Sequence, residues 1–313
     1  MKLAGKTVVV FGGRTLSGRP LSPHQMVART GDAQCRACHF NGNHVGASAM
    51  PLPPKSILCM PCHAATFSIG DRTTIIALLI FAVGMVGLGT VWFSGNRAGR
   101  KGHGRQGGVA PMMVAFVGDV LFIKRLYRLS PERWCIHALI YYPILMRLIF
   151  GMIILSLSLL LPDADLTRAL LNKNQPARAL FFDLTGLMMV AGVLAALFRS
   201  RKDQETLRDL PAPGRGMTLL LGLIVLVGFL LEGLRIAMTG WPAGVRYSPI
   251  GHGIGLLAGG MTGISDVYGY VWYGHAIGTG TFVALIPFTR MIHMFTAPVV
   301  LMSEVRSPHR ANH

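Results

Sequence analysis

The sequence predicts an all-α membrane protein: five transmembrane helices in a bundle, preceded by a small loop-rich segment. Three observations predict it. The chain of 313 residues is 51% hydrophobic and only 14% charged, with a mean hydropathy of +0.48, a balance that suits a polytopic membrane protein better than a soluble domain. Apolar runs long enough to cross a bilayer follow one another between residues 73 and 301. The first 72 residues are instead rich in Gly, Pro, Ser and His, lack sustained helical periodicity, and hold four of the five cysteines.

Lys2 and Lys6 followed by Thr7 to Phe11 faintly resemble a signal sequence, but Gly12, Gly13 and Arg14 end the apolar run too early. The first span is expected at 73–93, followed by a loop with Arg97, Arg100, Lys101 and Arg105. Residues 111–129 are amphipathic, carry Lys124, Arg125 and Arg128, and are too broken to span; they are expected to lie along the membrane face and to offer a docking surface for a soluble partner. The second, third and fourth spans are expected at about 134–161, 179–198 and 217–239, and the fifth at 268–301. Loops 94–133 and 199–216 hold eight and five Lys and Arg, against three in 162–178 and one in 240–266. The positive-inside rule therefore puts the amino terminus outside and the carboxyl terminus in the cytoplasm. The net charge of +17 is read as topology, because basic and aromatic residues are not interleaved as nucleic-acid binding requires.

The loop-rich segment cannot bury a core and needs covalent or metal staples. Its cysteines stand as Cys35-x-x-Cys38-His39 and Cys59-x-x-Cys62-His63. That pattern is the attachment signal of c-type haem: two thiols hold the porphyrin and the adjacent histidine becomes an axial ligand. Two copies, read as outside the cell, predict two c haems. The competing reading is a four-thiolate zinc ribbon, which needs neither histidine. His44 and His24 lead the candidates for sixth ligands, with Met26, Met50 and Met60 as thioether alternatives. Cys135, alone at the start of an apolar run, is expected to pack as a small hydrophobe.

Histidines inside apolar spans are costly and point to function. His275 and His293 are 18 residues apart. In one continuous helix at about 100° per residue they share a face, separated by roughly 27 Å. His137 lies near the cytoplasmic end of the second span, and His293, on a span running the other way, falls at a similar depth. Antiparallel neighbours with one histidine each at matching depth are suited to clamp a haem b. Arg147 near the midplane requires a haem propionate, a quinone oxygen or a carbonyl as partner. Glu232 and Arg235, three apart, are expected to pair, with Glu232 as a proton acceptor from quinol in a sharper reading.

Met50 to His63 (MPLPPKSILCMPCH) resembles the repeating units of periplasmic multihaem cytochromes c. The spans resemble the cytochrome b family of the nitrate reductase gamma subunit and its relatives in heterodisulfide-reductase-like and sulfite-reduction-linked membrane complexes. The carriers are RWCIHALIYY on the second span, the His275 to His293 spacing, and PFTRMIHMFTAP at 287–298. The resemblance implies five helices, two stacked b haems, quinone exchange near the outer haem, and a cytoplasmic iron-sulfur partner near the inner one. One position departs from the pattern: Arg147 stands where the family has a second histidine on the second span, leaving His275 without its expected partner, so one or two b haems are expected and His252 is the substitute candidate.

These readings converge on a quinone-reactive cytochrome subunit of a respiratory oxidoreductase complex in a bacterial or archaeal inner membrane. Its expected organisation is a periplasmic dihaem c segment (1–72), a transmembrane cytochrome b domain (73–301) and a cytoplasmic tail (302–313). Electrons would pass among quinone, the periplasmic c haems or a periplasmic cytochrome, and a heterodisulfide-reductase-like iron-sulfur subunit. Arg147, Glu232 and His252 are the quinone-site candidates. The alternative is a zinc-ribbon scaffold without haem. A transporter would need inverted repeats or paired broken helices, which the sequence does not display.

Overall fold

The computed structural model describes residues 56–63, 72–99, 109–161, 164–206 and 215–306. Cys35, Cys38, His39, His44 and His24 lie outside the described residues, as do the basic residues from Arg100 to Arg105. Among the described residues the protein is all-α, with no strand. Four helices are long and apolar enough to cross a membrane, and a bent pair supplies the fifth span.

The elements run as follows. A single turn at Ile57–Cys59 precedes α1 (Arg72–Gly99), the first span. Next come α2 (Val109–Ala115), a π-helical turn (Phe116–Leu121) and α3 (Lys124–Leu129). The second span is α4 (Pro131–Leu160), followed by the short α5 (Asp165–Leu171) and the long α6 (Pro176–Thr206). The fourth span is α7 (Arg215–Met238). Then α8 (Pro249–Ala258), α9 (Ile264–Leu285) and α10 (His293–Arg306) complete the chain. The expected spans are thus recovered with ends displaced by a few residues.

The outward faces carry apolar side chains that water would disfavour. Val83 and Val91 on α1 are 70% and 73% exposed, which is the surface a helix presents to lipid. Polar side chains on the spans satisfy themselves locally, as the lack of competing water in lipid demands: Ser158 donates to the Ile154 carbonyl at 2.7 Å and Thr279 to the His275 carbonyl at 2.9 Å.

Three differences from the sequence reading have physical causes. The fifth span is not one helix: α9 and the α10 stretch are bent by 80° at a short break. Pro287 lacks the amide that a continuing helix needs, and Thr289 is extended at φ −129°, ψ 174°, its hydroxyl accepting from the Met291 amide at 3.4 Å to start a new turn. The single-face, 27 Å argument for His275 and His293 therefore does not apply. The glycine-rich stretch 240–266 contains α8, started by Pro249 at its first position. Cys135 is exposed on α4 rather than packed. Residues 111–129 are broken as expected, with Ile123 in the left-handed region at φ 51°, a costly conformation for a β-branched residue.

The chain forms two compact units. The first takes the described turn at 56–63 with Met146–Asp183 and Leu230–Tyr273; the second takes the described parts of Asp71–Leu145, Leu184–Phe229 and Gly274–His313. In the second unit, α10 packs on α2 and the π-helical turn. There α1 meets the break so closely that a Cβ on Gly84 would lie 2.6 Å from Pro287 Cβ. Gly192 on α6 likewise touches α4, where an added Cβ would come within 2.7 Å of Ile140 Cγ1. In the first unit, Ile154 and Leu171 are buried against Phe150 and Leu170.

Candidate functional site

Among the described residues, chemistry-bearing side chains gather in both units. In the second unit, His137 sits early in α4 and His293 opens α10. Their ring centroids are 6.0 Å apart at 64°, so the break in the last span still delivers His293 to His137. The His293 Nδ1 lies 2.7 Å from the Arg290 carbonyl. A bond there fixes the proton on Nδ1 and leaves the Nε2 lone pair available to a metal. The His137 Nδ1 is buried with no hydrogen-bond partner among the described residues, its ring resting 5.7 Å from Tyr141. Two imidazoles facing one another, one with its tautomer fixed and the other with an orphaned buried nitrogen, fit an axial ligand pair. His275 lies in the same unit on α9 and faces α7, with its Cε1 3.7 Å from where a Cβ on Gly228 would stand. The alternative partner, His252, belongs to the other unit.

In the first unit, the second cysteine motif forms one helical turn. Ser56 caps it, accepting from the Leu58 amide at 3.2 Å. The Cys62 and His63 amides both donate to the Cys59 carbonyl, at 3.2 and 2.8 Å. Leu58 and Met60 are buried beneath it, so Met60 packs. Burial pushes the Cys62 thiol above its usual range, and the Arg147 charge works against that rise.

The His63 ring stacks on Phe182 of α6, 6.1 Å away and within 9° of parallel. The same phenyl ring receives two guanidiniums: Arg147 of α4 at 5.0 Å and Arg178 of α6 at 5.5 Å from its centroid. Arg147 is 7% exposed and also donates to the Phe182 carbonyl at 2.5 Å. The carbonyl expected among the partners of Arg147 is thus present. Arg178 donates to the Leu170 carbonyl at 2.7 Å and to that of Leu171, tying α5 to the start of α6.

Two carboxylates complete this cluster. Asp183 accepts from the Ser248 hydroxyl and from the Ile250 amide, both at 2.8 Å. A side chain on α6 thus caps the amino end of α8 in place of a local residue, satisfying one of the orphan donors there. Glu232 is gripped by Arg235 through both oxygens, Nε to Oε2 at 3.2 Å and Nη2 to Oε1, as their spacing predicts. Arg235 also donates to Asn174 at 2.8 Å. Gly251 lets α8 approach Glu232, where a Cβ would meet the glutamate Cγ at 2.5 Å. His252 follows on α8; its Nδ1 is buried with no hydrogen-bond partner among the described residues, and its ring meets Trp241 edge-on at 5.4 Å.

Sequence reasoning missed Phe182, Asp183, Arg178 and Trp241. Asp183 carried a readable signal, being a carboxylate inside an apolar run (ALFFDLTGLMM). Phe182 carried none, because one phenylalanine among many apolar residues is indistinguishable by pattern. The first motif, Cys35-x-x-Cys38-His39, together with His24 and His44, lies outside the described residues, and with it the other half of any four-thiolate zinc site.

Residues 145–310 match the family model described as nitrate reductase gamma subunit. Comparison with curated proteins and with solved structures returned no match.

Proposed function

The chain belongs to the nitrate reductase gamma subunit family, a family of multi-pass membrane cytochromes b that serve oxidoreductase complexes, and from that premise we propose that it passes electrons through haem b held by His137 and His293. The observation that carries this reading is the approach of those two rings to 6.0 Å from separate helices. Bound there, the haem would supply one-electron exchange; the protein supplies two imidazoles and the hydrogen bond that orients one of them.

The finer reading follows the chemistry of the remaining residues. Cys59, Cys62 and His63 form a turn suited to a c haem, each thiol adding across a vinyl group so that no oxidant is needed, with His63 as ligand. Cys35, Cys38 and His39 form the second attachment site, with His44 and His24 as candidate sixth ligands. His275 would serve a further b haem, with His252 as its candidate partner. Quinone exchange is assigned to the first unit, where Glu232 offers a proton acceptor and His252 a buried nitrogen beside Trp241. An iron-sulfur subunit at the cytoplasmic side and a periplasmic electron partner complete the route. The charge bias of the loops supports an orientation with the cysteine motifs outside and the carboxyl terminus inside, in a bacterial or archaeal inner membrane.

A pyridine haemochrome spectrum of the purified protein tests this. Mixed b and c absorbance is expected, with His137→Ala and His293→Ala each losing the same b component. A wild-type protein without haem, or two variants that both keep full b content, ends the proposal.

A further inference from the structure

Resting on the reading of Cys59-x-x-Cys62-His63 as a c haem attachment turn, we infer that Arg147 is a positioning residue for that haem: its buried charge raises the reduction potential of the c centre. Four observations lead there. A guanidinium inside a membrane span is costly unless it serves a charged or polar partner, yet α4 brings Arg147 onto the Phe182 ring, where Arg178 joins it from the start of α6. His63 stacks parallel on that same ring, so the arginines and the motif's histidine share one aromatic platform. The cluster's two carboxylates, Asp183 held by Ser248 and Ile250 and Glu232 by Arg235, offset part of the charge of its three arginines, Asp183 acting on Arg147 itself. The Arg147 bond to the Phe182 carbonyl holds the charge in place without cancelling it.

The platform is thus electropositive beneath a motif whose haem would bring propionate carboxylates. It also stands against the His63 ligand. Reduction adds one electron to the iron and lowers the charge of the centre by one. A fixed positive charge nearby favours that lower charge.

The test is a redox titration of the purified, haem-loaded full chain, following c and b bands separately in wild type, Arg147→Gln and Arg147→Lys. The glutamine variant is expected to keep both c haems. One c component should fall about tenfold in its reduction equilibrium, equivalent to about 59 mV for one electron. The lysine variant should recover most of that difference, which a packing role would not predict. Arg178→Gln, on the same ring, should shift the same component in the same direction by less, and keeps the test open if Arg147→Gln fails to fold. An unchanged c component in a loaded Arg147→Gln protein, or a shift confined to the b component, overturns the inference. Loss of c haem from the wild-type chain would instead strike down the attachment reading itself, and the inference with it.

Discussion

Asp183→Ala removes a carboxylate that joins α6 to the start of α8. Asp183 is 3% exposed and accepts from a hydroxyl and an amide, each at 2.8 Å. A hydrogen bond to a charged acceptor contributes about 1.5–3 kcal/mol, and the donors left behind have no water to turn to. Allowing for relaxation of α8, the alanine variant should lose about 3–4 kcal/mol. At about 2 °C per kcal/mol for a chain of this size, the melting midpoint should fall by roughly 6–8 °C. Far-UV circular dichroism in detergent measures it. Asp183→Asn keeps one acceptor oxygen without the charge and should fall by about half as much. Limited proteolysis should at the same time cut faster between 240 and 263, because α8 loses the cap that starts it. A midpoint within about 1 °C of wild type, with unchanged cleavage, would show that the carboxylate does not hold α8 and would refute the reasoning.

Three further outcomes are expected. Gly192→Ala should destabilise by about 1–3 kcal/mol, because its Cβ would meet Ile140 Cγ1 at 2.7 Å, whereas Gly89→Ala, with nothing within 4 Å, should leave the melting midpoint unchanged or slightly raised. Arg235→Met takes both side-chain hydrogen bonds from the half-buried Glu232 and should cost about 1.5–3 kcal/mol; adding Glu232→Gln should restore most of it in a double-mutant cycle read by thermal melting. Thr289→Val removes the hydroxyl that caps the turn before His293 and should cost about 1 kcal/mol, with a broadened b haem spectrum as the accompanying sign.

The helices were legible because each span is a long apolar run between charged loops, and length against bilayer thickness is a strong constraint. The His137 and His293 pairing was legible from depth alone, although the continuous helix assumed for the last span was not correct. Pro287 in IPFT was the readable warning, because a proline inside a helix kinks or breaks it. The contents of 240–266 were harder. Six glycines between 251 and 263 read as loop by propensity, but tertiary contact overrides propensity here, since Gly251 and Gly255 are what let α8 press against α7. The aromatic platform was not legible at all: Arg147, Phe182 and His63 are separated by tens of residues and obey no common period.

The elbow at Pro287–Thr289 uncouples the two histidines that flank it. Along an unbroken rod, a slip of one residue would swing both imidazoles by about 100° together. Here α10 starts afresh after the turn, and Arg290 re-indexes His293 locally, so α9 is free to drift in register without carrying His293 away from His137. The sequence upstream of the elbow can thus diversify around His275 while His293 keeps its place beside His137.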